Sequence, residues 1–180
     1  MRKSTGDILM ITNGIGWTFE AEVVIPNHNK CVVNILNSKY EPPKDYSVHL
    51  VVSPTKMNDR YEWFLEKATE IGVTVITPII SHNSERKVVK TERFEKIIQS
   101  AMKQSLNPYL TTLAAAVTFT EFLKSPQKGQ TFISHSAEGD HHAFKNQIEP
   151  AASITILIVP EGESISKAIP NALENNYIPV

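Results

Sequence analysis

The chain has 180 residues, 41% hydrophobic and 21% charged, with a net charge of −1. That suits one large domain or two small ones, and any polyanion-binding surface must be local. Cys31 is the only cysteine, so an intrachain disulfide is excluded and a reducing, cytoplasmic setting is expected. No apolar run approaches the roughly 18 residues that span a bilayer, and the opening MRKSTGD is too polar for a signal peptide, so no membrane role is expected.

The first forty residues read as strands. Asp7–Thr12 is apolar-rich, and "NGIG" (13–16) signals a hairpin because Asn and Gly accept positive φ. In Trp17–Ile25, Phe19, Ala21 and Val23 alternate with Thr18, Glu20 and Glu22. "PNHN" (26–29) is a second turn and Lys30–Leu36 a third strand, a meander that suits most of a small barrel. The polar stretch Asn37–Asp45, with Pro42 and Pro43, reads as a linker.

After Tyr46 the pattern changes. "VHLVVSP" (48–54) is a continuous apolar strand, expected to be covered on both faces. A helix follows, striped by Tyr61, Phe64, Leu65, Ala68 and Ile71, with Asn58 or Asp59 as cap and Gly72 as stop. Val73–Ile80 is a strand. Thr91–Ser105 is a helix capped by Thr91 and striped by Phe94, Ile97, Ile98, Ala101 and Ser105. A short strand is expected near Tyr109–Leu113, a short helix over Thr118–Ser125, and strands over Gln130–Ser136 and Ser153–Pro160. Ser164–Asn175 has helical pattern, with Ser164 as cap and a kink or shortening at Pro170, and "YIPV" begins a last strand. Strands alternating with helices predict a parallel α/β sheet, whose ligands bind beyond the strands' carboxyl ends. That rule points to Ser134–Glu138 and Pro160–Glu163.

Between Glu85 and Lys103 six Lys or Arg stand against three Glu, a local charge of +3. Arg93 and Lys96 can share a helix face. This is either a grip on RNA phosphates or a solvated face, with charge alone favouring the second. His135, His141 and His142, with Glu138 and Asp140, lack the ligand spacing of a zinc site and read as a polar loop, so no metal is expected. His28, His49 and His82 are isolated and read as structural. Glu62, Glu66 and Glu70 share one helix face, either solvated or, at Glu70, kept for a tertiary contact. No spacing singles out a nucleophile or a general base.

Lys67–Val73 ("KATEIGV"), Ser84–Arg86, Glu92–Ile98 and Ala101–Ser105 ("AMKQS") match, in order, motifs of the RsmE-like 16S ribosomal RNA methyltransferases of the SPOUT superfamily, and Val159–Ser164 ("VPEGES") resembles that family's G-P-E-G strand end. "GDILMITNGIGWTFEAEV" resembles the family's barrel segment. The resemblance covers nearly the whole chain. It departs at Val159, where the family has Gly, and at Asn107, where it has Arg. Further family sequence is expected on both sides: "MRKSTGD" matches the barrel's interior, and the family's S-L-G and I-L-R-x-E-T-A elements should come after "YIPV".

The resemblance implies a PUA-like β-barrel over residues 1–45 and, over 46–180, an α/β SPOUT domain whose parallel sheet carries a C-terminal trefoil knot. It implies a homodimer that transfers methyl from S-adenosyl-L-methionine to N3 of a uridine in 16S ribosomal RNA, on the free RNA or the small ribosomal subunit. Ser134, His135, Val159, Pro160, Glu161, Gly162, Ile178, Pro179 and Val180 are the implied cofactor residues. Glu161 is read first as bracing its own loop through backbone N–H bonds. Lys56, Arg60, Arg86, Arg93, Lys96, Gln104 and Ser105 are the implied RNA contacts. The alternative is an RNA-binding homologue that has lost catalysis.

Overall fold

The structure is a computed structural model and describes residues 3–55, 57–80, 91–134, 144–150, 152–158 and 165–180. The N-terminal strands β1 (Ile8–Thr12), β2 (Trp17–Ile25) and β3 (Val32–Tyr40) form an antiparallel sheet in that order. In the first turn Gly14 and Gly16 adopt φ of +73° and +97°, while Asn13 Oδ1 accepts the N–H groups of Ile15 (2.9 Å) and Trp17 (3.2 Å). In the second, Asn27 Oδ1 accepts those of Asn29 (2.9 Å) and Lys30 (3.3 Å). The expected linker is shorter than its polarity suggests. Residues Asn37–Tyr40 continue β3 and pair with Glu20–Trp17. An outer strand can be polar, because its ladder bonds come from the backbone; here the Tyr40 ring also packs on Trp17, 5.1 Å between centroids.

The second sheet is parallel throughout, in the order β10-β8-β9-β4-β5-β6. Its strands are β4 (Val48–Val52), β5 (Val75–Ile80), β6 (Thr112–Leu113), β8 (Gln130–Ser134), β9 (Ile154–Ile158) and β10 (Ile178–Pro179), and β7 (Val117–Thr118) pairs with the end of β5. Helices α1 (Asn58–Glu70) and α2 (Thr91–Gln104) cover one face, where Tyr61, Leu65, Ala68, Phe94 and Ile98 close over Ile76 and the partly buried Val48, Leu50 and Val52. Helices α3 (Phe119–Lys124) and α4 (Ile165–Glu174) belong to the other, where Phe119, Phe122, Leu123 and Ala172 join Val51, Ile79, Ile133 and Leu157. A strand covered on both faces needs no alternation, which explains the unbroken apolar runs.

Several local expectations change. α1 starts from Met57, which provides no side-chain cap, so neither Asn58 nor Asp59 sits at the cap position; instead Thr55 Oγ1 donates to the Met57 carbonyl at 2.7 Å. Ile71 is 75% exposed, because the helix ends at Glu70 and turns through Gly72 at φ +86°. Met102, not Ser105, completes the buried stripe of α2. α3 is capped by Thr118, one residue before the helix, with a reciprocal bond from Glu121. α4 runs on to Glu174 although Pro170, its sixth residue, lacks the N–H that would bond one turn back.

The segment joining α2 to β6 ties the two sheets together. Gly16 N–H donates to Pro108 O (3.0 Å), Leu110 N–H to Gly14 O (2.9 Å) and Tyr109 Oη to Glu41 O (2.8 Å). Asn107 Nδ2 reaches back to Thr69 O in α1 at 3.4 Å, and its Oδ1 accepts Tyr109 N–H at 3.1 Å.

Candidate functional site

Parallel register brings the carboxyl ends of four strands to one level. Val52 pairs with Pro78 and with Ile158, and Ile158 pairs with Ser134. On the far side of β8, Pro179 pairs with Ile133, and the Val180 N–H donates to Ile133 O at 3.0 Å. Ser134 therefore stands level with Val180, just beyond Ile178 and Pro179, and all four are half-buried. Ile158 at the end of β9 is 38% exposed, while Leu157 one residue earlier is fully buried, so the sheet opens at this edge. The strand-end residues Val52, Ser134, Ile158 and Ile178–Val180 carry no ionisable side chain and offer apolar surface and backbone groups. His135, Val159, Pro160, Glu161 and Gly162 lie outside the described residues.

The expected RNA contacts divide. Arg60 and Lys96 are exposed on α1 and α2, and Gln104 and Ser105 are exposed at the end of α2. Ser105 Oγ turns back to donate to Met102 O at 3.3 Å. Arg93 is engaged elsewhere: its Nε stands 2.7 Å from Glu62 Oε1 and its Nη2 donates to Glu62 Oε2 at 2.8 Å. Its hydrogen bond to Glu62, helped by that charge and by Asp59, raises the guanidinium pKa above its ordinary value. This fork clasps α1 to α2. Lys56 and Arg86 lie outside the described residues.

The three glutamates of α1 are thus occupied differently. Glu62 makes the tertiary contact. Glu70, which could have been kept for one, pairs within the helix, accepting from Lys67 Nζ at 2.9 Å, and Glu66 accepts from the same ammonium at 2.8 Å. His49 packs edge-on against Phe122, and its Nε2 lies 2.7 Å from Thr77 Oγ1. Burial lowers its pKa, only partly offset by a hydrogen bond with Gln127, and keeps the ring neutral within the sheet. His82, His135, Glu138, Asp140, His141 and His142 lie outside the described residues; among the described residues no three metal-ligating side chains converge and no helix is long and apolar enough to cross a membrane. Sequence reasoning missed a cleft of about 440 Å³ between the N-terminal sheet and the end of α2, into which Lys39 and Lys103 both face. The alternation of Met10 and Thr12 on β1 gave a signal, but nothing local paired it with Lys103.

Residues 42–180 match the model of a family described as an RNA methyltransferase domain. The chain belongs to the RsmE-like RNA methyltransferase family. It is 30% identical to the crystal structure of a probable rRNA-methyltransferase from Porphyromonas gingivalis, superposing with a TM-score of 0.87 over 99% of this chain and 77% of that one. A ribosomal RNA small subunit methyltransferase E from Neisseria gonorrhoeae, solved bound to S-adenosyl methionine, shares the fold at 21% identity and a TM-score of 0.86, over 99% of this chain and 76% of that one. Ribosomal RNA small subunit methyltransferase E of Rickettsia conorii is 26% identical over 90% of this chain, and that of Synechocystis 24% over 100% of this chain. The chain spans 66% and 61% of the length of these two relatives.

Proposed function

We propose that this RsmE-like chain carries most of a methyltransferase that modifies N3 of one uridine in 16S ribosomal RNA, on the free RNA or the small ribosomal subunit, in the cytoplasm. S-adenosyl-L-methionine bound at the sheet edge would supply a methyl group on an electrophilic sulfonium. The observation that carries the reading is the shared level of Val52, Ile158, Ser134 and Val180 at the carboxyl ends of four parallel strands. Ser134, Ile178, Pro179 and Val180 would hold the adenosyl part against the half-buried strand ends, with His135 and Val159–Gly162 as the further contacts that the family resemblance implies. Orienting donor and acceptor in line is the protein's main catalytic task. The uridine N3–H proton must leave before or during transfer, and no described side chain is singled out to take it.

Residues 1–45 are read as a PUA-like RNA-binding barrel, of which β1–β3 would be part, and 46–180 as a SPOUT domain with a C-terminal trefoil knot and a homodimeric assembly. Support comes from the family match over 42–180 and from the crossed strand order, in which β9 and β8 lie on the opposite side of β4 from β5. Arg60, Lys96, Gln104 and Ser105, each exposed, would meet the RNA together with Lys56 and Arg86; Arg93 would join them only by leaving Glu62.

Titration calorimetry with S-adenosyl-L-methionine, followed by mass spectrometry of ribosomal RNA from a strain lacking the modification, tests the reading. Cofactor binding with new N3-methyluridine is the expected result. RNA binding without cofactor binding would leave the catalytically inactive homologue, which Val159 in place of the family's Gly favours.

A further inference from the structure

The cleft between the N-terminal sheet and the end of α2 has a built floor and an unusual wall. Thr12, Thr18 and Lys39 form a row across β1, β2 and β3, since Thr12 pairs with Thr18 and Thr18 with Lys39. Met10 lies two residues along β1 on the same face and is 60% exposed. Lys103 and Leu106 stand opposite, at the end of α2. Thr12 Oγ1 is committed, donating to Pro108 O at 3.4 Å and accepting Gly14 N–H at 3.1 Å. Thr18 Oγ1 is held only by a 3.4 Å contact with Lys39 O and can turn into the cleft.

Leu106 is the wall. Its φ is +54°, and the Asn107 N–H bonds to Met102 O at 3.1 Å while Ser105 N–H bonds to Ala101 O at 2.9 Å. This is a helix end in which glycine usually occupies the left-handed position. A leucine there opposes its own backbone preference. Burial does not compensate, because Leu106 is 66% exposed. A strained, exposed apolar side chain beside two ammonium groups suits a ligand with a flat apolar face and a negative charge.

We infer that this cleft binds one unpaired nucleotide of the RNA substrate, its base between Met10 and Leu106 and its phosphates on Lys39 and Lys103. The inference rests on the RNA methyltransferase reading above. The size fits, since small-molecule clefts span roughly 300–1,000 Å³. The charge fits as well. Lys39 holds Glu41 at 2.9 Å with both side chains exposed, a solvent-screened pair that a phosphate can replace, and among the described residues Lys103 makes no ion pair. An unpaired base can offer its face to Met10 and Leu106 and its edge to Thr18, which a base stacked in a duplex cannot.

Fluorescence polarisation of the full chain with a short labelled oligoribonucleotide, single-stranded or annealed to its complement, tests this. Lys39→Ala and Lys103→Ala are each expected to weaken single-strand binding about fivefold and to lower the salt slope by about 0.7. Leu106→Gly is expected to weaken binding while the melting temperature holds or rises, since glycine suits the left-handed turn; a purely structural leucine would give the opposite pair of results. Lys128→Ala, exposed before β8, should bind like the unchanged protein. Cleft variants that bind normally, an equal loss at Lys128, or equal binding of the duplex would each overturn the inference. If the unchanged protein binds cofactor and RNA but the cleft variants match it, the cleft alone is refuted; if it binds neither, the methyltransferase reading falls as well.

Discussion

In the parallel sheet Val51, Ile76, Ile79, Phe132, Ile133 and Leu157 are completely buried, whereas in the antiparallel sheet Ala21 and Val23 are, and Ile8, Met10, Val24, Ile25, Ile35 and Leu36 stand roughly half exposed. Helices on both faces account for the first. The second relies on its own ladder and on the Pro108–Leu110 segment. The two therefore differ in what holds them: side-chain burial in one, backbone hydrogen bonds and a narrow junction in the other.

The largest effect expected from breaking that contrast is in the parallel core. Leu157→Ala should cost about 3 kcal/mol, while Val24→Ala, at a position 47% exposed, should cost under about 0.5 kcal/mol, both read from denaturant midpoints at constant slope. Comparable losses at the two sites would refute the contrast. Next comes the junction. A Cβ at Gly16 would lie 2.5 Å from Tyr109 Oη and 2.8 Å from Glu41 O, on a residue with φ +97°. Gly16→Ala should therefore cost about 2 kcal/mol, with hydrogen exchange rising at β2 and β3 and staying slow at β4 and β9.

A smaller effect is expected at His49. Burial lowers its folded pKa below the ordinary 6.5, so the unfolded chain binds the proton more readily. Its contribution is intact above pH about 6.5, and stability falls as pH drops from there toward the folded pKa. His49→Gln should flatten that part of the pH–stability curve; an unchanged slope would argue against a buried neutral ring. The smallest effect belongs to Arg93 and Glu62. A double-mutant cycle should show a favourable coupling that fades with salt, because the arginine is exposed.

The alternation in Trp17–Ile25, the unbroken run of β4 and β9, and the stripe from Tyr61 to Ala68 were all legible, because periodicity reports which faces are buried. The ends of elements were less so. Asn37–Tyr40 reads as a polar linker because composition cannot see that Trp17–Glu20 supplies partners for its backbone. Ile71 fits the helical stripe yet stands in water, because the helix stops one residue before it. Of the candidate site, sequence could name Ser134 and Ile178–Val180 separately, on strands some forty residues apart.

The sequence by itself determined the elements, the two kinds of sheet and the ordered motifs that identify the family, since these depend on local propensity, burial period and residue identity. Only the tertiary structure decided that Ser134 and Val180 are neighbours, that Arg93 is committed to Glu62, and that Lys39 and Lys103 face one cleft. Each of those facts is a meeting of residues distant along the chain, set by strand order and helix packing, which no local pattern encodes.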